Sequence, residues 1–191
     1  MISINANLIT ERRYLMIKNI LVLSFLLSFL GVNISYAAKV VNKEQESQLV
    51  DLIKNFNYES NNRDIDALVN YIPPHLITAM SLRLGKTNES LADDFKSSLS
   101  SQIKVDSSSK YLLDASNIKY SVSADGQIYA LIGTERSNAK VKVLSQTLAI
   151  YENSKWYLVY GGARAVQNPI FSMIYPSLSE IKFSLEKVIR K

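Results

Sequence analysis

The spacing of hydrophobic residues changes once along the chain, near residue 110. Before that point apolar residues recur at intervals of three and four, as on one helix face, for example at Leu49, Leu52, Ile53 and Phe56. This spacing predicts helices over about 44–60, 65–72, 75–84 and 88–104. After residue 110 apolar and polar residues alternate, which is typical of half-buried strands. We expect strands over about 118–123, 127–136, 140–151 and 156–160.

Local signals mark several ends of these elements. Asp64 is suited to cap the second helix through its carboxylate. Pro73 should end that helix, because a residue before proline avoids the helical region, and Pro74 can begin the next one. Gly85 and Gly126 can adopt positive φ, and they predict a helix end and a tight turn.

The third strand contains one irregularity. Its alternation slips near Leu144 and Ser145, where Val141 and Val143 give way to apolar residues of the opposite phase such as Leu148. A slip of this kind is what a β-bulge produces, and a bulge bends a sheet. The sequence therefore predicts a bulged, curved sheet.

The end of the chain predicts one more helix. Residues 165–176 are mostly apolar and have no clear period. Ser177 and Glu180 have the spacing of a capping box, which begins a helix. Apolar residues at helical spacing follow, namely Leu178, Ile181, Leu185 and Val188.

The order of these elements indicates the fold class. Helices followed by a run of antiparallel strands are typical of α+β domains, in which helices pack on one face of the sheet. We expect N-terminal helices on a curved antiparallel sheet over residues 38–164. A C-terminal extension with a helix should cover residues 165–191.

A segment that precedes this domain predicts export. Lys18 supplies a positive charge, and Ile20–Val32 is an apolar run of about thirteen residues, the length of a signal-peptide core. Ser35 and Ala37 are small residues suited to cleavage after Ala37. Residues 1–37 are therefore interpreted as leader and signal peptide, and the mature protein is expected to be periplasmic or secreted.

Two alternatives remain open for this segment. A retained membrane anchor needs about 20 apolar residues, and Gly31, Asn33 and Ser35 interrupt the end of this run. Translation could begin at Met1 or at Met16, because Met16 would give a shorter charged leader. We expect no association with the membrane once the segment is cleaved.

Composition excludes several kinds of site. The chain has no cysteine, which excludes disulfides, thiol nucleophiles, cysteine metal ligands and lipid attachment at a cysteine. The formal net charge is +5, yet no basic run is longer than two residues. A nucleic-acid-binding protein normally carries a clustered basic surface, so we expect none of that activity.

The elements resemble a known superfamily. The helix start Asp64–Leu68 and the hairpin Tyr151–Val159, with its turn followed by tryptophan and alternating apolar residues, are similar to the NTF2-like (cystatin-like) superfamily. The resemblance covers about residues 44–162. Together with the export segment, it makes the chain similar to an exported bacterial member of the superfamily. It implies a cone-shaped domain with an apolar interior. The extension over 165–191 goes beyond the usual ending of that superfamily.

The resemblance allows for catalysis, but the sequence offers weak candidates. Some NTF2-like proteins are isomerases, dehydratases or cyclases that use an acid and a tyrosine deep in the cone, whereas many others only bind. His75 is the one histidine, and it is interpreted as a helix-start residue. Asp64 and Asp66 are explained by the helix dipole, which favours acids at its N-terminus. We expect no catalytic residue, metal site or cofactor.

Tyrosines on the predicted strands are the best candidates for binding. Tyr120, Tyr129 and Tyr160 could line a pocket, where a phenol combines apolar surface with a hydrogen bond. The alternative is the ordinary preference of strands for aromatic residues. Arg136 and Arg164 lie near strand ends and could meet an anionic ligand, or could simply be solvated.

The sequence therefore predicts an exported, non-catalytic binding module. Its partner would be a small apolar ligand or another protein. One alternative is a protein-interaction or neutralising subunit, and another is a small-molecule isomerase or lyase of the cone type. A homodimer through the sheet face is a further expectation.

Overall fold

Helices precede an antiparallel sheet in the computed structural model, which describes residues 41–105 and 109–191. Its helices are α1 (Lys43–Asn62), α2 (Ile65–Val69), α3 (Pro74–Leu84), α4 (Asn88–Val105), α5 (Ala163–Val166) and α6 (Pro169–Ile174). Its strands are β1 (Lys110–Val122), β2 (Ile128–Ser137), β3 (Val141–Glu152), β4 (Lys155–Val159) and β5 (Lys187–Arg190). The predicted α+β class is confirmed. The predicted signal peptide, its cleavage site and the alternative start sites lie outside the described residues.

The predicted helix ends are set by local hydrogen bonds. The Asp64 carboxylate accepts from the Ala67 backbone N–H at 3.0 Å, as an N-cap should. Pro74 begins α3, and Gly85 ends it with φ 64°. Helix α1 begins at a reciprocal capping box, in which Asn42 Oδ1 accepts from the Gln45 N–H and Gln45 Oε1 accepts from the Asn42 N–H.

The sheet is an antiparallel meander with one added strand. Its order is β1-β2-β3-β4, and β5 also pairs with β3. Strand β4 pairs with Leu148–Glu152, and β5 pairs with Val141–Leu144. The two strands therefore share one edge of β3, each along half of its length.

The predicted bulge at Leu144 and Ser145 is wrong. The β2–β3 register runs without a shift from Tyr129↔Ile150 to Ser137↔Lys142. The phase slip arises because both faces of β3 are covered, so apolar residues occur on each. The irregularity lies in β1, between Asp114 and Ile118. This irregularity breaks the alternation of apolar and polar residues in β1. The sequence pattern therefore predicted a start at residue 118, whereas the strand begins at Lys110.

One face of the sheet packs against α1, α2 and α4, and we call it the helix face. Phe56 of α1 lies near its centre and is 2% exposed. Its ring centroid lies 5.5 Å from that of Tyr71, 5.7 Å from that of Tyr111 and 6.1 Å from that of Tyr160. The buried residues around it are Leu49, Ile53, Leu68, Leu113, Ile128, Ala130, Ile132, Ala149, Trp156 and Leu158. The curvature and the cone shape that the resemblance implies stay predictions.

Buried hydrogen bonds fix α1 on this face. The Trp156 indole N–H donates to the Gln45 carbonyl at 2.7 Å. The Asn57 side chain both donates to the Leu113 carbonyl and accepts from the Leu113 N–H, each at 2.8 Å. The two ends of the helix are thus tied to β4 and β1, which are distant strands of the sheet.

The opposite face of the sheet packs against the C-terminal segment, and we call it the tail face. Residues from β2, β3 and β4 form its floor: Leu131, Leu148, Ile150 and Val159. Residues from α5, α6 and the 3-10 turn that follows cover them: Val166, Phe171, Tyr175 and Leu178. The homodimer through the sheet face stays a prediction, and this part of the tail face is already occupied by the chain itself.

The helix predicted to follow Ser177 is wrong. A 3-10 turn spans Pro176–Leu178, residues 181–186 form no helix, and β5 follows. The extension does contain helices, but they are α5 and α6, where the sequence shows no period. Ile181 and Phe183 both pack on the tail face. Residues two positions apart in an extended segment point to the same side, so no helix is needed to bring both side chains there. Strand β5 then pairs with Val141–Leu144 of β3. These tertiary contacts outweigh a weak local helix preference.

Leu178 and Leu185 should differ sharply when each is replaced by alanine. Leu178 is 0% exposed and Leu185 is 95% exposed. We expect Leu178→Ala to lower the free energy of unfolding by about 2–5 kcal/mol and Leu185→Ala to change it by less than about 0.5 kcal/mol. Urea denaturation followed by circular dichroism measures both. Equal losses would indicate the helix that the sequence predicted, which places both leucines on one face.

Candidate functional site

Two concave features lie on either side of the contact between α3 and α6. We call the first the apolar cavity; it is lined by Leu76, Met80, Phe95, Tyr160, Ile170 and Phe171, among others. We call the second the polar cleft; it is lined by His75, Asp125, Gln127, Glu152, Tyr175 and Ser177, among others. Helices α3 and α6 contribute to both, so the C-terminal segment helps to form each of them.

The apolar cavity has a volume of about 170 Å³. Its walls come from α3, α4, the end of β4 and the C-terminal helices, and they are mainly aliphatic and aromatic carbon. Asn168 also lines it, but its side-chain oxygen accepts from the Ile170 N–H at 2.9 Å and caps α6. The cavity therefore offers apolar contact more than hydrogen bonds.

Tyr160 supplies a phenol to the apolar cavity. Its hydroxyl donates to the Leu68 carbonyl at 2.7 Å. Burial, followed by the nearby Tyr111, Tyr71 and Glu59, raises the pKa of Tyr160 far above its usual range. The phenol is thus neutral at physiological pH and already bound to the backbone.

The polar cleft is larger and more open, with a volume of about 510 Å³. Four separate segments converge on it. They are the start of α3 with His75, the β1–β2 turn with Asp125, the end of β3 with Glu152, and the end of α6 with Tyr175. Convergence of polar groups in a concave site is the usual sign of a binding site.

Tyr175 and Glu152 form the central hydrogen bond of the cleft. The Tyr175 hydroxyl donates to Glu152 Oε2 at 2.9 Å. Burial, and then the negative charge and hydrogen bond of Glu152, raises the pKa of Tyr175 far above its usual range. Tyr175 therefore remains a neutral donor that orients the carboxylate.

Asp125 is the second carboxylate of the cleft. It accepts a hydrogen bond from the Ser123 hydroxyl, and its Oδ1 accepts from the Gln127 N–H at 3.3 Å. The hydrogen bond from Ser123 is the main cause that lowers the pKa of Asp125, so the group is charged at neutral pH. Gly126, at φ 85°, forms the tight turn that holds Asp125 here.

His75 lies at the exposed start of α3, as the sequence predicted. Its ring centroid is 5.9 Å from that of Tyr175, with an interplanar angle of 79°. Its backbone N–H lies 3.5 Å from Glu152 Oε1. The residue therefore forms one wall of the cleft even though its side chain is solvent-exposed.

The three tyrosines predicted to bind a ligand are not brought together. Tyr120 lies on the helix face beside Trp156, with ring centroids 6.2 Å apart. Tyr129 packs against the tail-face cluster. Tyr160 lines the apolar cavity. Ligand binding by any of them stays a prediction.

The predicted arginines also lie apart. Arg136 forms an exposed ion pair with Glu186 at 3.7 Å. Arg164 is exposed on α5. Neither lines the polar cleft or the apolar cavity as these are described above.

Sequence reasoning missed Glu152 and Tyr175. The two residues are 23 positions apart, and Glu152 is 77 positions from His75. No short motif could connect them. One signal was present, however: in an antiparallel meander the first and third turns lie at the same end of the sheet, which places Asp125 and Glu152 there together.

Among the described residues, two acid–tyrosine pairs show the arrangement that the isomerase or lyase hypothesis requires. One is Glu152 with Tyr175 in the polar cleft. The other is Glu59 with Tyr71 on the helix face, where burial and then a hydrogen bond to Glu59 raise the pKa of Tyr71 far above its usual range. One carboxylate oxygen of Glu59, Oε2, is buried and has no hydrogen-bond partner.

Within residues 41–105 and 109–191 no group of three or more histidine and acidic side chains is placed to hold a metal ion. The same part of the chain contains no helix that is long and apolar enough to cross a membrane.

Comparison with protein-family models, with curated proteins and with solved structures found no match to this chain. The NTF2-like resemblance therefore stays a prediction, and the site must be interpreted from its own geometry.

Alkaline pH should destabilise the protein, and Tyr175 should contribute to the effect. An unfolded tyrosine ionises near pH ~10, whereas folded Tyr175 keeps its proton to higher pH. Above about pH 10 the unfolded state binds fewer protons than the folded state, so stability falls as pH rises towards the folded pKa.

Urea denaturation from about pH 8 to 11 measures this slope. Tyr175→Phe removes one contributing group and should make the slope shallower. Tyr58→Phe is the matched control, because the Tyr58 side chain is 72% exposed. If both variants gave the same slope as the unmodified protein, Tyr175 would not have the perturbed pKa described above.

Proposed function

We propose that this protein is an exported, non-catalytic binding module that holds a small apolar molecule in the apolar cavity. The observation that carries the proposal is the cavity itself, which has a volume of about 170 Å³ and largely apolar walls. Tyr160, selected from the sequence as a ligand-binding candidate, is one of those walls. The NTF2-like assignment is part of the proposal and is supported by the order of helices and strands.

The size of the cavity indicates the class of ligand. An engineered apolar cavity of about 150 Å³ stays dry and binds benzene. A single aromatic ring or a short branched alkyl group is therefore the expected size here. Each buried CH₂ group contributes about 0.8 kcal/mol, so affinity should rise with the apolar area of the ligand until the cavity is full.

The polar groups of the cavity support binding in preference to chemistry. The Tyr160 hydroxyl and the Asn168 side-chain oxygen already have hydrogen-bond partners in the backbone. A reaction would have to break these contacts. The isomerase or lyase alternative has its support elsewhere, in the acid–tyrosine pairs at Glu152 and Glu59.

Benzene should stabilise the folded protein, because it would bind the native cavity and not the unfolded chain. At a concentration about ten times Kd the expected gain is about 1.4 kcal/mol in the free energy of unfolding. Thermal denaturation in benzene-saturated buffer, with calorimetric titration, measures it. No change in Tm on addition of benzene would overturn the proposal.

Two variants test whether benzene binds in the apolar cavity. Ala165 lines the cavity, so Ala165→Leu should fill it and abolish the benzene effect. Met80→Ala should enlarge it and extend binding to naphthalene. Met173→Leu is the control, since Met173 lies on the same C-terminal segment but is 63% exposed.

A protein partner is the second candidate, and the surface at β5 favours it. Strand β5 pairs on one side only among the described residues, with β3. Leu185 is 95% exposed and Val188 is 61% exposed at this edge of the sheet. An open strand edge with exposed apolar side chains can pair with a strand of another chain.

Self-association is the form of this second candidate that can be tested directly. Sedimentation velocity should show a concentration-dependent dimer, which the double variant Leu185→Lys with Val188→Lys should shift to monomer. Salt should strengthen the dimer, because each copy brings Lys187 and Arg190 to the same edge. A monomer at every concentration and salt level would rule out pairing between copies.

A further inference from the structure

We propose that the polar cleft binds an organic cation, an alkylammonium or guanidinium group, with Glu152 and Asp125 as its charge partners. The inference does not depend on the apolar cavity, which takes a different ligand from the other side of the α3–α6 contact. It concerns the charge and shape of the cleft, which the proposed function leaves unexplained.

The cleft carries negative charge that the protein does not compensate. The residues that line it include Asp125 and Glu152 but no lysine or arginine. In the described part of the chain neither carboxylate forms an ion pair. Lys155 is the cross-strand neighbour of Glu152 in the β3–β4 hairpin, but its ammonium group forms no ion pair with that carboxylate. The lining of this concave site therefore carries net negative charge, although the whole chain has a net charge of +5.

The Glu152 carboxylate is held in position before any ligand arrives. Tyr175 donates to Oε2 at 2.9 Å, and the His75 backbone N–H approaches Oε1 at 3.5 Å. An ionised carboxylate can accept about four hydrogen bonds, so capacity remains for a ligand N–H. A fixed carboxylate loses little freedom on binding, which favours affinity.

Aromatic rings complete the environment. Tyr175 and His75 pack edge to face on the cleft wall, with ring centroids 5.9 Å apart. The Tyr175 ring is 6% exposed and also packs on Phe171, with ring centroids 5.1 Å apart, so it presents its hydroxyl and not a free ring face to the cleft. The exposed His75 ring offers surface to the hydrocarbon part of a ligand. Carboxylates together with an aromatic ring favour an organic cation, which has both charge and hydrocarbon surface.

Size and ligand number argue against a metal ion as the occupant. The cleft has a volume of about 510 Å³, enough for a side chain or a small amine. Across residues 41–105 and 109–191, no three histidine or acidic side chains are grouped as metal ligands. Ca²⁺ and Mg²⁺ prefer six or more oxygen ligands, whereas an alkylammonium or guanidinium group is satisfied by carboxylates and a few acceptors.

Agmatine, which carries both a guanidinium and an ammonium group, is the probe for the full chain. Calorimetric titration should show one site in the millimolar range or tighter. Glu152→Gln and Asp125→Asn should each weaken binding by about tenfold or more, because each removes a charge-assisted hydrogen bond. Glu180→Gln, outside the cleft, is the matched control and should bind agmatine as the unmodified protein does.

The source of the cation is distinguished by a second probe. The peptide acetyl-Gly-Arg-Gly-amide presents the same group as a protein side chain would. If the peptide binds more tightly than agmatine, the ligand is a basic side chain of a protein partner. If agmatine binds more tightly, the ligand is a small amine, and both results support the cation site.

Three results would overturn the inference. The first is no binding of either probe. The second is binding that Glu152→Gln and Asp125→Asn leave unchanged, which would indicate general charge attraction. The third is displacement of agmatine by Ca²⁺ at equal concentration, which would indicate a metal site. The benzene titration of Glu152→Gln should be normal in every case, so failure here is distinguishable from failure of the proposed function.

Discussion

The rest of the structure depends on the burial of strand β3 on both of its faces. Thr147, Leu148, Ala149 and Ile150 are consecutive, and each is at most 1% exposed. Successive side chains of a strand point to opposite faces, so a run of this kind requires cover on both sides. Helices α1, α2 and α4 pack on the helix face, and of the N-terminal helices α3 reaches the tail-face cluster, through Leu76. The chain returns after β4 to cover the rest of the tail face, and burial of each large side chain contributes about 1.5–3 kcal/mol.

The two candidate sites follow from that return. Helix α6 packs on the tail face through Phe171 and Tyr175. Phe171 closes one side of the apolar cavity, and Tyr175 reaches Glu152 in the polar cleft. The segment that completes the core thus also completes both concave features. The same two side chains therefore belong to the core and line the two concave features.

Features fixed by nearby residues could be predicted from the sequence, whereas features fixed by distant contacts could not. The Asp64 cap and the Gly85 helix end involve hydrogen bonds within a few residues, and both were predicted correctly. Ser177 and Glu180 also have a local helix signal, but the tail face buries Leu178, and β3 pairs with the strand beyond it. A capping box contributes only about 0.5–2 kcal/mol, less than the tertiary contacts that replace it.

In the candidate sites, too, features set by nearby residues could be predicted and features set by distant contacts could not. Alternation along a strand tells which face Tyr160 or Tyr129 occupies, but it cannot tell what covers that face. Only the path of the C-terminal segment makes Tyr160 a cavity wall and packs Tyr129 into the tail-face cluster. The pairing of Asp125 with Glu152 at one end of the meander could have been deduced from strand order alone. The position of Tyr175 could not have been deduced, because it depends on helix α6, whose residues show no hydrophobic period. Tyr175 is the residue that orients the Glu152 carboxylate in the polar cleft.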